Sequence, residues 1–203
     1  MISDAAPATL IIVMGTSGSG KSTLGASLSS ALGIPFIDGD DLHPPANVAK
    51  MASGHPLNDN DREPWLKRIR ETAIETLLGD GASPSQHRPP AMIIACSSLK
   101  RSYRDLLRGS HSTLSPTSPP LPASGLRTLH LYVDVSPTEL LRRMHERKGH
   151  FMKEEMLKSQ LETLEKPVEG SEEGVIVVQD GGREEVESRA AMRLRKELGL
   201  VKS

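Results

Sequence analysis

The segment Gly15-Thr16-Ser17-Gly18-Ser19-Gly20-Lys21-Ser22-Thr23 constrains this chain more than any other, because it fits G-x-x-x-x-G-K-[ST] where that pattern has physical meaning. An apolar run at 9–14 precedes it and a helix-forming stretch at 21–32 follows. Its glycines let the backbone wrap closely around a polyphosphate, so that successive N–H groups and a helix N-terminus point at the anion. Lys21 then neutralises the β- and γ-phosphate oxygens, and the Ser22 hydroxyl reaches a Mg²⁺ ion. A Gly/Ser-rich turn can match the pattern by accident, but the strand before it and the helix after it argue for function. The implied ligand is a nucleoside triphosphate held by residues 15–23.

Short aliphatic runs alternate with longer amphipathic stretches along the rest of the chain, the pattern of βα units around a parallel sheet. Strands are expected at 9–14, 35–37, 91–96, 126–133 and 174–178, and helices at 21–32, 61–78, 100–108, 137–147 and 184–198. The apolar residues of the strands are continuous rather than alternating, as in strands covered on both faces. In the last helix Val186, Ala190, Leu194 and Leu198 form one stripe. At 203 residues the chain is long enough for one α/β domain with a sizeable core and too short for two ordinary ones. Residues 79–90 and 109–125 are rich in Ser, Pro and Gly and read as surface loops. An inert insertion explains the second of these better than a phosphorylation or docking site, since long loops are tolerated cheaply. Residues 1–7 are expected to be disordered.

The charge balance limits the partners. Lys and Arg number 25 against 26 Asp and Glu, so no global basic field gathers nucleic acid or an anionic membrane. Aromatics make up 2% of the chain, which excludes a base-stacking platform. The lone Cys96 cannot form an internal disulfide, and the start of the chain shows no basic lead into an apolar segment. The run at 10–14 is far short of the roughly 20 residues that cross a bilayer. These readings point to a soluble intracellular protein that binds its anion locally.

The third strand runs into Cys96-Ser97-Ser98 and not into the acid that often pairs with a phosphate loop. The acids follow the second strand instead, in Asp38-Gly39-Asp40-Asp41, at the carboxyl edge of a parallel sheet where ligands bind. If the strand continues that far, residues 38 and 40 share a face, so one can support Mg²⁺ while the other accepts a hydrogen bond from an acceptor hydroxyl. Alone, such a cluster reads as a polar turn. The guanine motif N-K-x-D is absent, which favours a small-molecule kinase over a GTPase switch.

Six segments carry a resemblance: MGTSGSGKST at 14–23, DGDDLHP at 38–44, KMASGHPLNDNDREPWL at 50–66, CSSLKRSYRDLLR at 96–108, RKGHFM at 147–152 and SQLETLEKP at 159–167. With them the chain resembles the gluconate kinase (gluconokinase) family, small relatives of shikimate and nucleoside-monophosphate kinases. LNDNDREPW beside DGDDLHP separates that family from its relatives. The resemblance implies a three-layer P-loop kinase fold, with a five-stranded parallel sheet flanked by helices and a mobile lid around 147–160. It implies transfer of the ATP γ-phosphoryl group to the terminal hydroxyl of D-gluconate, with Mg²⁺, giving 6-phosphogluconate and ADP for sugar-acid catabolism and the pentose phosphate pathway. A cytoplasmic location and a homodimer are further family expectations.

The residues make chemical sense of that reading. Lys21, Asp40 and Arg147 are the expected catalytic groups, Arg147 as a lid cation that covers the transferring phosphoryl group. By similarity to shikimate kinases, Asp38 joins Ser22 in supporting Mg²⁺ and Asp40 orients the attacking hydroxyl. Gluconate is a polyol carboxylate, so Arg62 and Lys100 are the candidate cations for its carboxylate, with Asp40, His43, Asn58 and Asp59 for its hydroxyls. Arg143 is expected beside the adenine, with 180–183 bordering the base. Trp65 reads as a core or groove-wall residue, Leu66, Ile69, Ala73 and Leu77 as a core stripe, and Cys96 as a small buried residue. Two rivals stand beside this reading: another small-molecule kinase of the same fold, opposed by LNDNDREPW, and a catalytically dead nucleotide-binding module, opposed by intact Lys21, Ser22, Asp38 and Asp40.

Overall fold

The computed structural model describes residues 7–79, 90–110, 114, 125–146 and 151–200, with 151–153 as backbone alone. Arg147, the first six residues and most of the two Ser/Pro-rich stretches lie outside the described residues.

Seven consecutive buried residues, Ala8–Met14, form β1, and their continuous apolar character places this strand at the centre of the molecule. The chain continues through α1 (Lys21–Leu32), β2 (Phe36–Asp38), a 3₁₀ turn (Gly39–Leu42), α2 (Pro45–Ala52) and α3 (Asp59–Leu78). It goes on through β3 (Ala91–Ala95), α4 (Arg101–Arg108), β4 (Leu126–Asp134), α5 (Pro137–Glu146), α6 (Phe151–Thr163), β5 (Val175–Gln179) and α7 (Arg183–Glu197). The five strands are parallel in the order β2-β3-β1-β4-β5, with Val13 opposite Ala95 on one side and Leu131 on the other.

Strand alternation divides the core in two. Ile11 and Val13 pack with Leu24 and Leu28 of α1, Leu140 of α5 and Leu194 of α7. Leu10, Ile12 and Met14 face the other way, toward Trp65, Leu66 and Ile69 of α3 and Leu107 of α4. The expected three-layer α/β architecture with five parallel strands is therefore present.

Three details differ from the sequence reading. α3 starts at Asp59 rather than residue 61, because Asn58 accepts from the Asp61 N–H (3.0 Å) while Asp61 accepts from the Asn58 N–H (2.8 Å). β2 ends at Asp38 and the chain turns at Gly39, so Asp38 and Asp40 do not share a strand face. The turn has its own cause: the Asp38 carboxylate accepts from the Asp40 N–H at 3.2 Å. Finally, α2 and α6 were not expected. α2 is short and shows Val48 and Met51 to solvent, and α6 occupies most of the segment expected as a lid.

α4 is tied to the connection before β5 by ions. Arg104, 1% exposed in its side chain, donates to both oxygens of Glu172 at 2.6 and 2.8 Å, and Arg108 adds a contact at 2.7 Å. A third arm of Arg104 reaches the carbonyls of Ser98 and Leu99, which shapes the loop leading to Lys100.

Candidate active site

Between β1 and α1 the loop turns on glycines with positive φ: Gly15 at 149°, Gly18 at 82° and Gly20 at 88°. A Cβ on Gly15 would lie 2.8 Å from the Ser19 hydroxyl oxygen, so a side chain there would displace the loop as well as strain it. The first bond of α1 runs from the Leu24 N–H to the Gly20 carbonyl (2.9 Å), which leaves the N–H groups of Gly20, Lys21, Ser22 and Thr23 ahead of the helix ladder. Four such donors at the positive end of a helix make an anion cradle.

Lys21 is half-buried, and its ammonium donates to the Thr16 carbonyl at 3.0 Å. Desolvation pushes its pKa down, and the negative charge of Asp40 and then of Asp38 works against that. The influence is mutual. Asp40 reaches solvent at the rim, yet partial desolvation followed by the charge of Asp38 raises its carboxyl above the usual range, with Lys21 opposing. The tertiary fold therefore brings the phosphate-loop lysine, Asp38 and Asp40 into one electrostatic unit.

On the other side of Asp40, the Trp65 indole donates to the Gly39 carbonyl at 2.7 Å and holds the 3₁₀ turn. His43 stacks on Trp65 with ring centroids 4.0 Å apart. Burial, helped by the Arg62 charge, lowers His43 to about 4, so the imidazole is neutral near pH 7 and offers one donor and one acceptor. Asn47 bridges its Nδ2 to the Asp61 carbonyl (2.7 Å) and lies 3.4 Å from His43 Nδ1.

The two candidate cations differ sharply. Lys100 meets both oxygens of Asp59 at 2.8 Å, and Tyr103 donates to the same carboxylate at 2.5 Å. Arg62 makes no ion pair among the described residues; its Nε reaches the Leu57 carbonyl at 3.4 Å and its guanidinium lies 5.9 Å from the Tyr103 ring centre. Asn58 uses its side-chain oxygen as the α3 cap. Beside the loop a cavity of about 320 Å³ is lined by Gly18, Gly20, Thr23, Asp180, Arg183 and Arg143. Arg143 braces its wall by bonding Glu139 at 2.7 Å and Asp180 at 2.7 and 2.9 Å. A larger cavity of about 430 Å³, near Arg127, Gly174 and Glu197, opens at the opposite edge of the sheet and has no phosphate loop beside it.

With that geometry in view, a family model described as an AAA domain matches residues 10–167. The chain is 43% identical over 169 residues to the gluconokinase of Gluconobacter oxydans, which covers 83% of this chain and 80% of that one. The chain belongs to the gluconokinase family. A gluconokinase structure from Sinorhizobium meliloti superposes with a TM-score of 0.69 at 38% identity, covering 97% of this chain and 98% of that one. A shikimate kinase from Bacteroides thetaiotaomicron, 17% identical with a TM-score of 0.55 over 96% of this chain and 99% of that one, shares the P-loop kinase fold alone.

In this gluconokinase-family chain, the sequence reading left out Tyr103, Asn47 and Gln160. Each acts through a contact distant in sequence. Gln160 accepts from the Ser17 N–H of the phosphate loop at 2.6 Å, and its segment SQLETLEKP was the only sequence signal. Cys96 is fully buried with its thiol pushed up to about 12, which leaves it inert. Among the described residues no cluster of three His, Cys, Asp or Glu could hold a metal alone. The Ser22 hydroxyl and Asp38 carboxylate are hard oxygen donors of the kind Mg²⁺ takes together with phosphate oxygens and water. No described helix is long and apolar enough to cross a membrane.

Proposed function

We propose that this chain transfers the γ-phosphoryl group of ATP to the terminal hydroxyl of D-gluconate, releasing 6-phosphogluconate and ADP. The observation that carries the reading is the meeting of Lys21 with Asp38 and Asp40 beside an arginine, Arg62, that makes no ion pair among the described residues. Residues 15–23 bind the triphosphate through the amides of Gly20 to Thr23 and Lys21, while Arg143 and 180–183 wall the nucleotide cavity. Mg²⁺, held by Ser22 and Asp38, supplies charge neutralisation at the terminal phosphates.

Asp40 accepts a hydrogen bond from the attacking hydroxyl and takes its proton late; its raised pKa makes it a better acceptor than an ordinary aspartate. Arg62 pairs with the gluconate carboxylate, and neutral His43 and Asn58 bond its hydroxyls. Asp59 presents Lys100, which stays in reach of the same ligand. Arg147 is the lid cation, the lid covers 147–160 and belongs to a single kinase domain, and the assembly is a homodimer.

Coupled ADP release with and without gluconate tests the activity. Turnover requires gluconate, and a panel of shikimate and nucleoside monophosphates yields none. Arg62→Met raises KM for gluconate by about 10- to 150-fold, the loss of one charge-assisted pair of roughly 1.5–3 kcal/mol, with KM for ATP little changed. A neutral polyol of equal length is a poor substrate for the parent and loses little more in the variant. Equal losses for both would move the carboxylate contact to Lys100.

A further inference from the structure

The peptide unit between Thr16 and Ser17 is held at both ends. Its carbonyl accepts from Lys21 Nζ at 3.0 Å and from the Ser19 N–H at 3.2 Å. Its N–H donates to Gln160 Oε1 at 2.6 Å, from a residue 143 positions away on α6. One peptide plane therefore connects the phosphate-binding lysine to the helix in the lid segment.

We propose that Gln160 is a positioning residue for Lys21: by fixing this peptide plane with its carbonyl toward the ammonium, it couples the seating of α6 to the ability of Lys21 to hold phosphate. If the plane rotates, an N–H faces the cation in place of a carbonyl, and the aim of the ammonium is lost. The ammonium is half-buried and donates to this carbonyl at 3.0 Å, so the carbonyl's direction matters to it.

α6 is packed where it can impose the constraint. Leu157 is fully buried in the cluster that contains Leu140 and Met144 of α5, and Leu161 packs on its edge. Beyond the helix, Glu165 donates its N–H to the Leu99 carbonyl (3.0 Å) and accepts from the Arg101 N–H (2.6 Å). The segment is thus fastened to the phosphate loop at one end and to the start of α4, next to Lys100, at the other. Gln160 does not plug the anion cradle, because it takes the Ser17 amide while the amides of Gly20 to Thr23 remain ahead of the first helical bond.

The inference rests on the reading that Lys21 holds the terminal phosphates, and its test needs no gluconate, so an error in the acceptor leaves it standing. Binding of the non-hydrolysable ATP analogue AMPPNP is measured by calorimetry on the full chain carrying Gln160→Met, Lys21→Ala, or both. Methionine keeps the side-chain length and removes the acceptor. Gln160→Met weakens AMPPNP about tenfold when Lys21 is present and less than twofold when it is absent, which is the coupling of residues acting as a unit. Gln160→Ala repeats the pattern, and with gluconate both variants lower kcat more than they raise KM for gluconate. Equal weakening in both backgrounds, or none in either, overturns the proposal. A Lys21→Ala chain that binds AMPPNP as tightly as the parent removes the phosphate role of Lys21 itself, and the proposal with it.

Discussion

Lys21 and Asp40 act on each other: the lysine's charge opposes the rise of the aspartate, and the aspartate's charge opposes the desolvation that lowers the lysine. Removing the charge of Asp40 while preserving its shape separates their duties. Asp40→Asn leaves ATP affinity nearly unchanged and lowers kcat by about 100-fold or more, the usual scale for a lost general base or hydroxyl-orienting group. Steady-state kinetics beside a nucleotide titration checks it. Lost nucleotide binding with intact gluconate binding would assign Asp40 to the metal instead. Arg62 and Lys100 make the same point about context, since two cations of similar formal charge beside Tyr103 differ because one is already ion-paired to Asp59.

At the scale of elements, α4 carries a structural charge network into the acceptor side. Arg104 and Arg108 converge on Glu172 with side chains 1%, 8% and 7% exposed, so deleting the carboxylate strips buried Arg104 of its ion pair and leaves Arg108 with Asp105. Glu172→Ala is expected to cost about 3–5 kcal/mol. At roughly 2–4 °C per kcal/mol for a chain of this size, the melting temperature falls by about 6–20 °C in a thermal scan. A change within experimental error would mean that Arg104 is held by the Ser98 and Leu99 carbonyls alone. The glycine at C′ of α1 is a simpler device: Gly33, at φ 64°, returns its N–H to the Ser29 carbonyl and ends the helix before β2.

For the whole molecule, the clearest pH response comes from histidines that the fold keeps neutral. His130 on β4 is fully buried, and burial followed by the charges of Arg108 and Arg104 holds its pKa well below the ordinary 6.5. His43 shifts the same way, to about 4. Below pH 6.5 the unfolded chain takes up protons that the folded one refuses, so stability is complete above that pH and falls as the pH drops. His130 accounts for part of the loss at pH 5.5 and His43 for another part. Urea unfolding at pH 7.5 and 5.5 reads this directly, and His130→Met reduces the difference, leaving the part that belongs to His43. A parent protein equally stable at both values would show that His130 and His43 are both protonated inside the fold.

The parallel sheet, its two-sided core and the phosphate loop were legible in the residues, because continuous apolar runs and a glycine-lysine loop are set by interactions among near neighbours. The acids at 38 and 40 were legible as a pair, but the reason given for their alignment was not the one the fold uses: a 3₁₀ turn capped by Asp38, not an extended strand, carries Asp40. α6 escaped detection because, among its residues with described side chains, only Leu157 is buried and the rest look like solvated chain. The contacts of Gln160 with Ser17, Lys100 with Asp59 and Trp65 with Gly39 span 143, 41 and 26 positions. Only the strand order and the helix packing bring such partners together, since a side chain carries no local record of which distant backbone group will meet it.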